Sequence, residues 1–270
     1  MPDIYSIRYF KDRRPLNKPC IAAIALGLLL FLFPEYPKRL VYPLLFAQKS
    51  AEKLTVSQEA YYEDITSAPI ELTRSNVKYT LYPKTKYSVT AKIGYVDHYD
   101  TLFNKMYRGH SQSDYINLVP IDLLMVHADM AKPEIYSLFE FEHEERLGRI
   151  LCKGVKYRQS FFPRYYSSEA EMLKSKENLA KCEPHINNNQ YNNYHPIPAN
   201  ENVNKGLHTL TAGDVVYVEG YLTNVRAPRY SLNTGTRTDQ HHPYFVNGQN
   251  PGMCFILYTT KIIVNGYIYQ

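Results

Sequence analysis

Residues 86–96 read KYSVTAKIGYV. Tyr87, Val89, Ala91, Ile93 and Tyr95 alternate with Lys86, Ser88, Thr90 and Lys92, which gives one apolar and one polar face at the period of a half-buried strand. Outward from this stretch, residues 215–225 (VVYVEGYLTNV) form a β-branched and aromatic run introduced by Gly213-Asp214. Gly220 within it predicts a bulge or a sharp bend. Residues 254–264 (CFILYTTKIIV) predict a strand apolar on both faces, and Asn265-Gly266 predicts a hairpin with a short return over 267–269. Residues 137–142 and 155–162 also alternate. Residues 116–126 are an apolar run interrupted by Pro120 and Asp122.

Helical signals are fewer. Ser167 or Ser168 is placed to cap a helix reaching Cys182, with Met172, Leu173, Lys176 and Leu179 at helical spacing. Residues 200–207 predict one or two turns, and 183–193 an Asn-rich loop. Residues 48–66 read as a short helix or linker, with Leu54, Tyr61 and Ile65 on one face. Together these signals predict a mainly β (β-rich α+β) domain over 72–270, built as a small barrel or sandwich. An OB-like barrel is the first expectation from strand style.

The N-terminus is of another kind. Residues 1–19 carry a formal charge of +3 and the remainder only +2. The next segment, 20–33 (CIAAIALGLLLFLF), has no polar side chain apart from one thiol. Its fourteen residues would extend about 21 Å as a helix, against about 30 Å of hydrocarbon core. Pro19 can start this helix and Pro34 can end it. A basic flank followed by an apolar segment predicts a transmembrane anchor within 20–47, with the positive end cytoplasmic and residues 48–71 as linker. A cleaved signal peptide lacks a small-x-small site here, since Lys49-Ser50-Ala51 puts Lys where a small residue is needed. A soluble core helix is the third reading. Asn17-Lys18-Pro19 before Cys20 argues against lipidation.

Composition narrows the function classes. A nearly neutral domain gives nucleic-acid binding little electrostatic footing. Of four cysteines, Cys20 lies in the apolar segment, and one disulfide and one thiol among Cys152, Cys182 and Cys254 would suit an exported domain. Trp is absent while Tyr numbers 26, which suits half-buried sheet or an interface. There is no C-x-x-C, G-x-S-x-G, P-loop, H-E-x-x-H or G-x-G-x-x-G element.

Candidate chemistry centres on a few residues. His195, in Asn193-Tyr194-His195-Pro196-Ile197-Pro198-Ala199-Asn200, is a candidate general base, with Asn193 and Asn200 as orienting or ligand-binding groups. The alternative is a turn whose polar side chains bond stray backbone groups. Arg237 and Asp239 could bind an anion and activate water, or form a structural ion pair. Asp122, alone in an apolar run, must be paired or cap a turn. His127 and Asp129, with His98 or His110, make a weak metal set. His241 and His242, adjacent in sequence, would point to opposite faces of a strand. No metal or cofactor is expected. The glutamates around His143 read as a solvated strand and turn.

Pro120-Ile121-Asp122-Leu123, the Asn193–Asn200 element, Gly213-Asp214-Val215-Val216, Arg237-Thr238-Asp239 and Cys254 follow one another along the chain. In that order the chain resembles a family of bacterial membrane-anchored or exported proteins. Its members share N-x-H-x-I-P-A-N, G-D-x-V, R-x-D…C and P-x-D-L elements. His127-Ala128 and Phe255 depart from the Trp-Gly and acidic residue of that pattern. The resemblance implies an exported fold and no particular activity.

These observations predict an inner-membrane, single-pass envelope protein with a cytoplasmic N-terminus. Where an outer membrane exists, its domain would face the periplasm and bind a protein or envelope partner. The alternatives are a membrane-tethered hydrolase using His195, Arg237 and Asp239, and an OB-like single-stranded nucleic-acid-binding domain.

Overall fold

The computed structural model describes residues 35–99, 113–144, 147–155, 166–235 and 254–270. Arg237, Asp239, His110, His241, His242 and the apolar segment 20–33 lie outside them. In chain order the strands are β1 (Gln48–Lys49), β2 (Tyr61–Asp64), β3 (Ile70–Arg74), β4 (Val77–His98), β5 (Ile121–Val126), β6 (Phe139–Glu144), β7 (Leu147–Cys152), β8 (Tyr191–Pro198), β9 (Val215–Arg226), β10 (Ser231–Leu232), β11 (Cys254–Val264) and β12 (Tyr267–Tyr269). The helices are α1 (Glu35–Phe46), α2 (Ser113–Leu118), α3 (Pro133–Tyr136), α4 (Glu169–Cys182) and α5 (Glu201–Leu207).

Five strands pair in a circuit. β4 pairs β5, β5 pairs β8, β11 pairs β9 and β9 pairs β4, all antiparallel, while β8 and β11 run parallel. The circuit leaves none of the five with two free edges, and short strands extend it: β2 and β3 on β4, β10 on β9, and β12 with β1 beyond β11. β6 and β7 form a separate hairpin. Tyr87, Val89, Ala91 and Ile93, the alternation read from the sequence, share one core cluster with Leu123, Tyr194, Val218, Phe255 and Leu257. Val203 and Leu207 of α5 close that cluster. Its centre is aromatic, with Tyr87 and Tyr194 hydrogen-bonded through their hydroxyls and both rings edge-on to Phe255 or tilted toward one another. The abundant tyrosine is thus partly core: Tyr79, Tyr87, Tyr191, Tyr194 and Tyr269 are all buried.

Several local expectations are met. Ser168 caps α4 by accepting from the Glu171 amide at 3.2 Å. Asn265 and Gly266 take positive φ between β11 and β12, as a two-residue hairpin requires. At Gly220 an added Cβ would run into the Tyr258 carbonyl, and β11 bulges opposite it, between Thr259 and Lys261. Two stretches differ from the sequence reading. Residues 48–66 contain β1 and β2 rather than a helix, because their backbone is claimed by β12 and β4. Residues 191–193, expected at the end of a loop, begin β8, whose eight residues are all buried.

One irregularity positions acidic side chains across two strands. β4 slips register between Ile93 and Tyr95 against Met125 and Leu124. An extra residue in a strand reverses the face of everything beyond it. Tyr95 therefore leaves the face of Ile93 and joins the cluster of Leu124 and Phe139, and Asp97 comes to stand opposite Asp122. Gly94 is the extra residue, and a Cβ there would sit 2.5 Å from the Phe141 ring. Gly94→Ala is expected to destabilise the domain by about 1–3 kcal/mol through overpacking, and adding Phe141→Leu should recover part of the loss. Urea denaturation of the two variants checks this.

Candidate active site

Register places the site. Asp122 follows Ile121 and precedes Leu123, both core residues, so its side chain emerges on the opposite face of β5. The β5–β8 pairing sets Leu123 against Tyr194, and continuing it sets Asp122 against His195. The parallel β8–β11 pairing sets Asn193 against Cys254. Asn193 and His195, two apart, share a face. Asp97, Asp122, His195, Asn193 and Cys254 thus form one row across four strands, on the face away from the principal core.

The contacts along the row are short. His195 Nδ1 lies 2.7 Å from Asp122 Oδ1, with Asp122 fully buried and His195 nearly so. Nδ1 therefore carries a proton donated to the carboxylate, and Cys254 lies near enough for the thiol and the imidazole to influence each other's ionisation. The Asn193 side-chain amide stands beside both, with Nδ2 at 3.5 Å from His195 Nε2 and 3.8 Å from Cys254 Sγ. Asp122 Oδ2 accepts from the Tyr99 hydroxyl at 2.7 Å. His143 brings a second imidazole, its Nε2 3.4 Å from Asp122 Oδ2 and its Nδ1 3.3 Å from Asp97 Oδ2. Its ring stacks on Tyr95.

The surroundings hold these groups in place. The β6–β7 hairpin carries His143 over the row, and Gly148 lets it approach, since a Cβ there would be 3.3 Å from Asn193 Oδ1. On the other side Tyr115 of α2 sets its ring edge-on to His195, 6.3 Å between centroids, and Tyr230 backs Tyr115. A disulfide joins Cys152 at the end of β7 to Cys182 at the end of α4, which leaves Cys254 as the free thiol among the described cysteines. Cys254 is half-buried at the first residue of β11.

The electrostatics follow from this geometry. Burial opposes charge on His195, but the Asp122 carboxylate outweighs it through charge and hydrogen bond, and the imidazole pKa rises to about 9. Burial also opposes ionisation of Cys254, yet the adjacent His195, with a smaller contribution from Asn193, brings the thiol below its ordinary value. His143 is likewise raised: burial lowers it, and Asp122 and Asp97 together prevail. The arrangement shifts the pair toward thiolate and imidazolium, the charge state of an activated cysteine nucleophile.

Of the residues singled out in the sequence, Asp122, Asn193 and His195 converge here. Asn200 does not join them: its Oδ1 caps α5, accepting from the Val203 amide at 2.9 Å. Asn193 and His195 lie on a strand rather than in a turn. Sequence reasoning missed Cys254, Tyr99, Asp97 and His143 as members. The free thiol beside the motif histidine was the available signal, and only strand pairing brings the two together. The sequence groups His143 with the solvated glutamates. Glu140 and Glu142 are indeed solvent-facing, exposed and exposed in turn, while the His143 side chain is 1% exposed. Among the described residues no group of three or more His, Cys, Asp or Glu side chains is arranged to hold a metal. No family model, curated protein or solved structure matches the chain.

Two pH measurements test the site. Alkylation of Cys254 by iodoacetamide, followed by peptide mapping, should show a midpoint below the ordinary thiol value of 9.0. In His195→Gln the cation is gone and burial remains, so the midpoint should move above 9.0. The second concerns stability. His195 is held above its ordinary value of 6.5, so its contribution is complete below pH 6.5 and is lost as pH rises toward 9. The lowered thiol acts with the opposite sign, and Cys254→Ser removes it. In that background the urea midpoint is expected to fall as pH rises above 6.5, and adding His195→Gln should flatten the fall.

Proposed function

We propose that this chain is a membrane-tethered thiol hydrolase or acyltransferase of the cell envelope, with Cys254 as nucleophile, His195 as acid–base and Asp122 as the group that orients and charges the imidazole. The observation that carries this reading is the convergence of Cys254, His195 and Asp122 on one face of the sheet, with His195 Nδ1 2.7 Å from Asp122 Oδ1 and the Asn193 amide nitrogen 3.8 Å from Cys254 Sγ. A nucleophile, a base and an orienting carboxylate are the parts acyl transfer needs. The Cys254 thiolate would attack an ester, thioester or amide carbonyl to form a thioester. His195 would then hand its proton to the departing oxygen, sulfur or nitrogen, and water or an acceptor would release the acyl group. The Asn193 amide is a donor close enough to the sulfur to steady the thiolate or the developing oxyanion. Of the residues expected for a hydrolase, His195 keeps the role of base in this reading, with Cys254 and Asp122 as nucleophile and orienting carboxylate; Arg237 and Asp239 lie outside the described residues.

The fold supports a ligand on this face. We infer that the five-strand circuit is a small OB-like barrel: the sequential strands β4, β5, β8, β9 and β11 pair in the order of that fold, with a helix between the third and fourth. In such barrels the second and third strands bear the ligand, and here those strands hold Asp122 and His195. The envelope-binding role expected from the sequence and the acyl-transfer chemistry therefore fall on one surface. Its carboxylates, Asp97 and Asp122, do not suit a phosphate backbone.

The envelope location rests on the apolar segment 20–33 behind a basic flank, and the Cys152–Cys182 disulfide agrees with an oxidising compartment. Among the described residues no helix is long and apolar enough to cross a membrane.

The test is to incubate the full chain with p-nitrophenyl acetate and read acylation of Cys254 by intact mass and peptide mapping. An acyl-enzyme burst is expected, absent in Cys254→Ala and slowed roughly 100-fold or more in His195→Gln. A Cys254 that acylates no faster than free cysteine would overturn the enzymatic reading and leave the binding one. A C-terminal reporter active only outside the cytoplasm tests location: activity in the membrane fraction is expected, and inactive soluble fusion would remove the anchor.

A further inference from the structure

We propose that α1 lies in the bilayer interface, with Val41, Leu44 and Leu45 immersed among the lipid headgroups and upper acyl chains, so that the domain sits on the membrane at a fixed orientation. This rests on the anchor reading of residues 20–33. Val41, Leu44, Leu45 and Phe46 are four of the six exposed large apolar side chains among the described residues. Val41, Leu44 and Leu45 are spaced i, i+3, i+4 and form one stripe. Leu44 and Leu45, at 74% and 66% exposure, have little protein cover.

The opposite side of α1 is docked. Arg39 ion-pairs with Asp214 at 2.6 Å and bonds the Thr211 hydroxyl at 2.5 Å. Pro43 lines the cleft against Tyr267 and Tyr269. Directly after the helix, β1 pairs with β12, and the Ser50 amide donates to the Gly266 carbonyl at 2.7 Å. The helix is thus held at Arg39, at Pro43 and through the strand that follows it, and its apolar stripe faces away from the domain.

The lipid surface is the occupant that chain continuity favours. α1 begins at Glu35, two residues beyond the last residue of the apolar segment. That segment is about 9 Å short of a hydrocarbon core, and an amphipathic helix immersed about 5–10 Å at the interface would make up the difference. Lys205, whose ammonium stands 3.5 Å from the centre of the Phe46 ring, and Lys49 in β1 add positive charge beside the stripe, which suits anionic headgroups.

The chain contains no tryptophan, so a single introduced indole reports its own surroundings. Leu44→Trp is compared with Leu173→Trp, a control at an exposed position on α4. Each full-length variant is reconstituted into vesicles of phosphatidylglycerol and phosphatidylcholine, with and without brominated acyl chains, and floated. The expected result is quenching of Leu44→Trp by about twofold or more, with Leu173→Trp unchanged. If the protein floats but Leu44→Trp is unquenched, the interfacial placement is wrong while the anchor stands. If the protein does not float, the anchor reading fails and this inference with it.

Discussion

A carboxylate with no solvent exposure governs this molecule. Asp122 is the second residue of a strand whose other residues are all apolar and buried, and an unpaired charge there would cost several kcal/mol, of order 3–5 for loss of a partner. Its two oxygens are met by His195, Tyr99 and His143, drawn from β8, from the residue just after β4 and from β6. Each of those elements is constrained by having to deliver a donor to the same point. The slip at Gly94, the close approach at Gly148 and the packing of the β6–β7 hairpin all serve that delivery.

The same constraint gives the site its chemistry. A buried carboxylate that accepts from Nδ1 fixes the ring orientation and favours the imidazolium. The imidazolium in turn favours the thiolate. The principal core lies on one side of β5, β8 and β11, and the polar row lies on the other. Stability and reactivity are therefore separated by the thickness of a strand, and the alternation of side chains assigns each residue to one or the other.

The range of each interaction decides how legible it is in the sequence. The strand at 86–96, the run at 215–225, the hairpin at Asn265-Gly266 and the Ser168 cap depend on near neighbours, and all of them can be read directly. Residues 191–198 do not read as strand because Asn and Pro prefer turns locally; burial between β5 and β11 overrides that preference. Alternation alone assigns Tyr95 to the core face, since it carries no notice of a bulge one residue earlier. Asp122 and His195 each stand out, yet they are 73 residues apart, and nothing local couples them. Cys254 stands in a strand apolar on both faces, where a thiol passes as a small hydrophobe. His143 looks solvated beside its glutamates, and only the turn of the hairpin onto β4 and β5 shows otherwise.

β11 is among the last elements of the chain, and it is the strand that pairs both β8 and β9 and so completes the circuit. Its first residue is Cys254, the free thiol of the polar row. His195 and Asp122 lie in earlier strands, and the two cysteines within residues 35–235, Cys152 and Cys182, form the disulfide. The sulfur arrives with the strand that completes the fold, and its acidity depends on that strand being docked. Closure of the circuit and the lowered pKa of the thiol therefore depend on the same strand.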